Sequence, residues 1–155
     1  MNTKLKVGDL LYRSKGPVQH AGVYLGGGLV LHTTPDTGLE VVTLEKYANG
    51  QDVKFIHVEM TDSHLLADRL SKILQGDRRF DFLGRNCEHV AYLLLSGRNW
   101  SPQLVAVLVG ALFGGLLAYR TRNENWAAIM LVCGAAACVL CNLTRSYDGV
   151  IRQAA

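Results

Sequence analysis

The sequence predicts an α+β domain over residues 1–100, followed by an apolar two-helix segment over residues 101–155. Three observations predict it. Short apolar runs separated by Gly, Pro and Asp turn signals fill residues 7–58, the pattern of strands joined by tight turns. A helical apolar period sets in at Asp62. Charge then thins sharply: residues 1–100 hold 12 Lys+Arg and 11 Asp+Glu, whereas residues 101–155 hold 4 and 2.

Val7–Tyr12 is apolar, bounded by Lys6 and by Ser14-Lys15-Gly16-Pro17, and reads as a strand followed by a turn. Val18–Leu25 and Leu29–Thr33 flank Gly26-Gly27-Gly28. Consecutive glycines accept positive φ, so this is a hairpin signal. Pro35-Asp36-Thr37-Gly38 makes the next turn, Leu39–Thr43 alternates as a strand does, and Val53–Val58 is a further strand.

Leu65, Leu66, Leu70, Ile73 and Leu74 form one helical stripe, which Gly76 ends. Phe80-Asp81-Phe82-Leu83-Gly84 is a loop. Asn86 is placed to cap a second helix, Cys87 to Ser96, stopped by Gly97. Ser101 followed by Pro102 is a helix start. Gln103–Tyr119 runs 17 residues without a charge and Trp126–Leu143 runs 18, with Arg120–Asn125 between them. About 20 apolar residues span a ~30 Å hydrocarbon core, so each block is near the lower limit for a membrane helix. Tyr119 and Trp126 sit at the same end of the two blocks, as interfacial aromatics do. Buried core helices are the bland alternative, but a domain of about 100 residues has little surface with which to cover two such helices. Gly110 and Gly114 form a small-xxx-small pair that suits close packing of the two helices or of two copies.

Several function classes lose support. A net charge of +3, scattered along the chain, gives no basic patch with interleaved aromatics, so no nucleic-acid partner is expected. Cys133, Cys138 and Cys141 lie in an apolar block and Cys87 stands alone, which is neither a disulfide framework nor a zinc-ligand spacing. A reducing compartment fits such cysteine usage. The first six residues lead into no long apolar run, so no cleaved signal peptide is expected. Arg98, Arg145 and Arg152 flank the blocks on the domain side, against Arg120 and Arg122 in the loop. That balance favours a cytoplasmic domain.

Cys87 is the candidate nucleophile. The first turn of a helix offers free N–H groups and a positive dipole end, which favour a thiolate and could hold an oxyanion. A buried structural Cys is the competing reading. Among the five His residues, His20 and His32 lie on the two arms of the glycine hairpin, 12 residues apart. An even separation lets an odd-length loop set them directly opposite on one face, with Cβ atoms ~5 Å apart. Two facing imidazoles suit a base and the group that orients it. A lone strand His is more often simply half-buried; the pairing is what raises these two. His57 and His64 have no such partner and read as surface or core-edge residues, and His89 points away from Cys87 on its helix.

Gln19-His20-Ala21-Gly22-Val23-Tyr24-Leu25-Gly26, then His32, then Asn86-Cys87-Glu88-His89, resemble the lecithin retinol acyltransferase family. That family includes the H-rev107-like phospholipid acyltransferases and lies within the NlpC/P60 papain-like superfamily. The resemblance covers residues 6–100. It implies a permuted papain-like antiparallel sheet with packed helices. It further implies Cys87 as nucleophile, His20 as general base and His32 as the residue orienting His20, and a C-terminal hydrophobic anchor fits it. No metal or organic cofactor is implied. Two positions depart from the family pattern: Ala21, where a large aromatic is usual, and Val90, where Phe is usual. Both lie outside the triad and leave the acyl-chain pocket and substrate open.

The resulting expectation is a membrane-anchored thiol acyltransferase or phospholipase. It would work through a Cys thioester, with phospholipid as the leading acyl donor. Its rivals are an NlpC/P60-type amidase or peptidase and a silent membrane interaction module.

Overall fold

The computed structural model describes residues 5–16, 18–59 and 62–152. Met1–Lys4 and Pro17 of the expected turn lie outside them. In chain order the elements are β1 (Leu10–Lys15), β2 (Val18–Gly26), β3 (Leu29–Thr34), β4 (Gly38–Thr43), α1 (Leu44–Ala48), β5 (Val53–Ile56), α2 (Ser63–Gln75), α3 (Cys87–Ser96), α4 (Pro102–Arg120), α5 (Trp126–Leu143) and β6 (Gly149–Ile151). The strands form one antiparallel sheet in the order β4-β3-β2-β1-β5-β6. The fold is α+β, as expected.

Alternation along the strands sends side chains to two faces. On one face Leu10, Tyr12, Ala21, Val23, Leu31 and Leu39 are buried with Leu66 of α2 and with Val90, Ala91, Leu94 and Leu95 of α3. On the other, Leu11, Val30, Val42, Val53 and Phe55 pack with Tyr47 and Ala48 of α1.

The helix signals act as their chemistry requires. The Asp62 carboxylate accepts from His64 N and Leu65 N at the start of α2. The Asn86 Oδ1 accepts from Glu88 N and His89 N, each at 3.0 Å, at the start of α3. Gly97 ends α3 with φ +72°. Ser101 Oγ caps α4 at Leu104 N.

Two strands differ from expectation at their ends. Val7 and Gly8 form a turn instead of opening β1, because Asp9 N bonds Lys6 O while its carboxylate accepts from Lys6 N. Likewise β5 stops at Ile56, where His57 N turns to the Asp148 carboxylate at 2.7 Å. Neither α1 nor β6 was foreseen from sequence.

The chain divides into two compact units. One holds the six-stranded sheet with α1–α3, and the other holds α4 and α5. After α5 the chain rejoins the sheet, as β6 pairs with β5 in the register Val53↔Ile151, Lys54↔Val150, Phe55↔Gly149. That strand lies in a stretch assigned from sequence to the apolar segment of residues 101–155. Tyr147 meets Tyr12 edge-on at 5.9 Å and Lys54 lies over its ring at 4.8 Å.

In the second unit α4 and α5 pack against each other through small residues. A Cβ added at Gly110 would lie 2.5 Å from Cys133 O and 2.6 Å from Ala137 Cβ, and one at Gly114 would lie 2.9 Å from Ile129 O. Close approach of α4 and α5 thus accounts for the glycine pair. Both helices are long and apolar enough to cross a membrane by length and composition, and little of either is buried, 17% and 11% of their apolar windows. Core helices of a soluble domain would be mostly covered, and this exposure is compatible with membrane association.

Candidate active site

His20 and His32 meet on the sheet face that carries α1. Both are buried, and His20 Nε2 lies 2.9 Å from His32 Nδ1 with the rings edge-to-face. They are not directly opposite each other. The β2–β3 ladder pairs Val23 with Leu31 and Tyr24 with Val30, and the register slips between Tyr24 and Gly26. Carried on, that register sets His32 across from Gly22, with His20 its diagonal neighbour on the same face, a separation that long side chains bridge. The Gly26↔Leu29 register carried on unbroken would set the two histidines on opposite faces; the one-residue slip beside the glycine turn is what returns them to one face.

Gly22 leaves the room this arrangement needs. A Cβ there would lie 2.7 Å from Tyr47 Cε2 and 2.8 Å from Val30 Cγ1. The Tyr47 ring stacks on His20, with centroids 5.6 Å apart and planes 29° apart, and stands edge-on to His32. Its hydroxyl is 2.8 Å from His20 O and 3.1 Å from Leu11 O. Burial and the nearby Cys87 raise the Tyr47 pKa well above its ordinary value, so it stays a neutral donor.

Behind His32 sits Glu40, its cross-strand partner in the β3–β4 ladder. Glu40 Oε1 is 3.4 Å from His32 Nε2 and 2.7 Å from Thr37 Oγ1, and Oε2 is 3.2 Å from Lys46 Nζ. Hydrogen bonds from Thr37 and Lys46 hold the Glu40 pKa below its ordinary value, keeping it a carboxylate.

Cys87 opens α3 and is partly buried against the opposite core cluster. Backbone N–H groups of Ala21 and of the first turn of α3 act to lower the Cys87 pKa. The thiol packs against the cluster that contains Ala21, the residue that follows His20. No hydrogen bond joins the sulfur to either imidazole in this structure. Cys87 packs against the core cluster that includes α3, whereas the imidazoles pack on Tyr47 of the cluster that includes α1.

The electrostatics correct one expectation. The helix start does stabilise a thiolate through its N–H groups, yet burial outweighs them and the Cys87 pKa is raised from its ordinary value. Burial also lowers His20 to about 3, with Arg13, His32 and Lys15 pushing the same way. His32 is lowered to about 4, again mainly by burial, against the raising effect of Glu40. The resting pair at neutral pH is thus thiol and imidazole, not thiolate and imidazolium. Proton transfer then belongs to the chemical step itself.

The remaining histidines lie elsewhere. His57 Nδ1 pairs with the buried Asp9 carboxylate at 2.9 Å, a partnership the sequence did not suggest. His64 is at the exposed start of α2, and His89 is buried on α3. Among the described residues no group of three or more His, Cys, Asp or Glu is placed to hold a metal ion. Glu40 and Tyr47 were missed. The Thr34-to-Gly38 turn fixes a register that sets His32 across from Glu40, so Glu40 had a readable signal, whereas nothing local marks Tyr47.

The NlpC/P60 family model matches residues 1–58, the stretch holding β1–β5, His20 and His32. The match supports that superfamily, whose members are generally cysteine-dependent enzymes. The chain is also similar to the genome polyprotein of avian encephalomyelitis virus (strain L2Z). Identity there is 26% over 130 residues, covering 76% of this chain and 6% of the polyprotein. The chain thus spans a small fraction of that relative's length.

Proposed function

We propose that this chain is a membrane-anchored, cysteine-dependent acyl-transfer enzyme. The observation that carries the reading is the buried His20–His32 contact on the sheet, in a chain that also presents Cys87 at a helix start.

The chemistry follows from these groups. His20 Nε2 is engaged with His32; in this reading the other ring nitrogen, Nδ1, takes the thiol proton. As that proton leaves, sulfur attacks an ester carbonyl, an S–C bond forms and the alkoxide leaves with the proton from His20. The product is a thioester on Cys87. Water or an amine, deprotonated by His20 in turn, cleaves it and restores the thiol. The Cys87 N–H, which the Asn86 cap does not use, is suited to the transient oxyanion. Phospholipid is the proposed acyl donor, because two long, exposed, apolar helices would keep the site near a bilayer.

An amide-cleaving reading has support of its own in the NlpC/P60 match over residues 1–58. One experiment separates the two. The full chain is incubated with isotope-labelled phospholipid vesicles and, separately, with a peptide panel. Mass spectrometry then looks for a labelled acyl group on Cys87. An adduct from vesicles, absent in Cys87→Ala, is the expected result. Turnover of peptides alone would favour the amidase, and no Cys87-dependent turnover of either would favour an interaction module.

A further inference from the structure

We infer that Glu40 is a positioning residue for the base: through His32 it selects the histidine tautomer that leaves His20 Nδ1 free to accept a proton. The inference rests on the Cys87–His20 reading above and adds a fourth member behind it.

The argument is one of hydrogen counting. For His20 to take the Cys87 proton at Nδ1, its neutral ring must carry hydrogen on Nε2. That hydrogen then points at His32 Nδ1, 2.9 Å away, which must offer a lone pair. A neutral His32 with a bare Nδ1 carries its hydrogen on Nε2. That atom is buried and has no full hydrogen bond, but it faces Glu40 Oε1 at 3.4 Å. A carboxylate only accepts, so it favours the Nε2–H form of His32 and disfavours the alternative. In the alternative form His32 would donate from Nδ1 to His20 Nε2. That would move the His20 hydrogen to Nδ1, the position the thiol proton must occupy, and the base would be blocked.

Glu40 is built into place for this. Thr37, three residues past the end of β3, donates to Oε1, and Lys46 of α1 holds Oε2. The groups around the histidine pair otherwise oppose a positive charge on it: Arg13 and Lys15 from β1 and Lys46 from α1. Tyr47 of α1 is neutral, and Cys87 of α3 is a thiol at rest. Among the described residues Glu40 is the one carboxylate acting on His32. It therefore also steadies the imidazolium that forms when His20 is protonated, while remaining ionised itself.

The test uses the full chain in lipid nanodiscs, labelled with nitrogen-15 histidine. Long-range proton–nitrogen spectra at pH 7 report which ring nitrogen carries hydrogen, with single His variants for assignment. His20 and His32 should both show the Nε2–H form, and Glu40→Ala should move a large part of each to the Nδ1–H form. A wild-type His32 with hydrogen on Nδ1, or tautomers unmoved in Glu40→Ala, would overturn the inference. A second readout is alkylation of Cys87 by iodoacetamide, followed by peptide mass spectrometry. Glu40→Ala should slow it about tenfold, in the direction of His20→Ala. If His20→Ala slows alkylation and Glu40→Ala does not, the Glu40 role is wrong. If His20→Ala has no effect, it is the underlying base assignment that fails, and the tautomer spectra still decide the Glu40 contact.

Discussion

At the scale of single residues, two neutral groups must exchange a proton when substrate arrives. Cys87→Ala removes the nucleophile, and activity should fall by several orders of magnitude. The fold should survive, because Cys87 is only partly buried and flanks the core cluster without belonging to it; circular dichroism beside the assay checks both. His20→Ala should leave activity near zero. His32→Gln keeps an acceptor for His20 Nε2–H and should spare part of the rate, so equal losses would undo this division of roles. Acid should also unfold the domain in a defined window. An unfolded imidazole binds a proton near pH 6.5, whereas the folded His20 and His32 resist until about 3 and about 4. Below pH 6.5 the unfolded chain therefore binds more protons. Stability present above that pH is lost as pH falls, and the loss levels off near pH 3–4. Each imidazole contributes up to about 1.4 kcal/mol per pH unit within its window. Urea melts between pH 7 and 5 should show this slope, and His32→Gln should flatten it. The identities of His20, His32 and Cys87 could be read from spacing and from a helix start. Their charge state could not, because it depends on how deeply three separate elements bury them.

At the scale of elements, close approaches set the tolerances. Gly22→Ala drives a methyl into the Tyr47 ring and Val30. It should cost about 1–3 kcal/mol, as overpacking does, and should disturb the His20–His32 contact with it. Thermal denaturation measures the first effect and histidine spectra the second. In the apolar hairpin, Gly110→Leu meets the Cys133 carbonyl and Ala137, whereas Gly115→Leu meets only the flexible end of Met130. Melting in detergent, followed by Trp126 fluorescence, should fall more for the first. Helices with strong caps were legible in the sequence: Asp62, Asn86 and Ser101 each start one where chain chemistry says they should. A helix of five residues, α1, is too short to show a period, and a three-residue strand, β6, too short to alternate. The hairpin register escaped prediction because a slip of one residue beside three glycines has no signature in composition.

At the scale of the whole molecule, connectivity constrains topology. The hairpin is a loop out of the sheet-bearing unit, entered after α3 and left before β6. If α4 and α5 both span a bilayer, their outer ends must share the side on which that unit folds. Alkaline carbonate should fail to release the full chain from membranes, and protease added to sealed vesicles should reach either the sheet unit or the Arg120–Asn125 loop, not both. A fragment ending at residue 100 lacks β6 and bares the edge of β5, a template for aggregation. Replacing residues 102–143 by a Gly-Ser linker keeps that edge covered and should give the more soluble domain, judged by size-exclusion chromatography. The returning strand also changes what a single cut would do. Asp148 N bonds Phe55 O, its carboxylate takes His57 N, and Gly149 lies under the Phe55 ring. A chain nicked within residues 121–125 would leave two pieces that share one sheet. The shorter piece would behave as a bound strand with a helix attached, so the protein lends itself to assembly from two separately made halves.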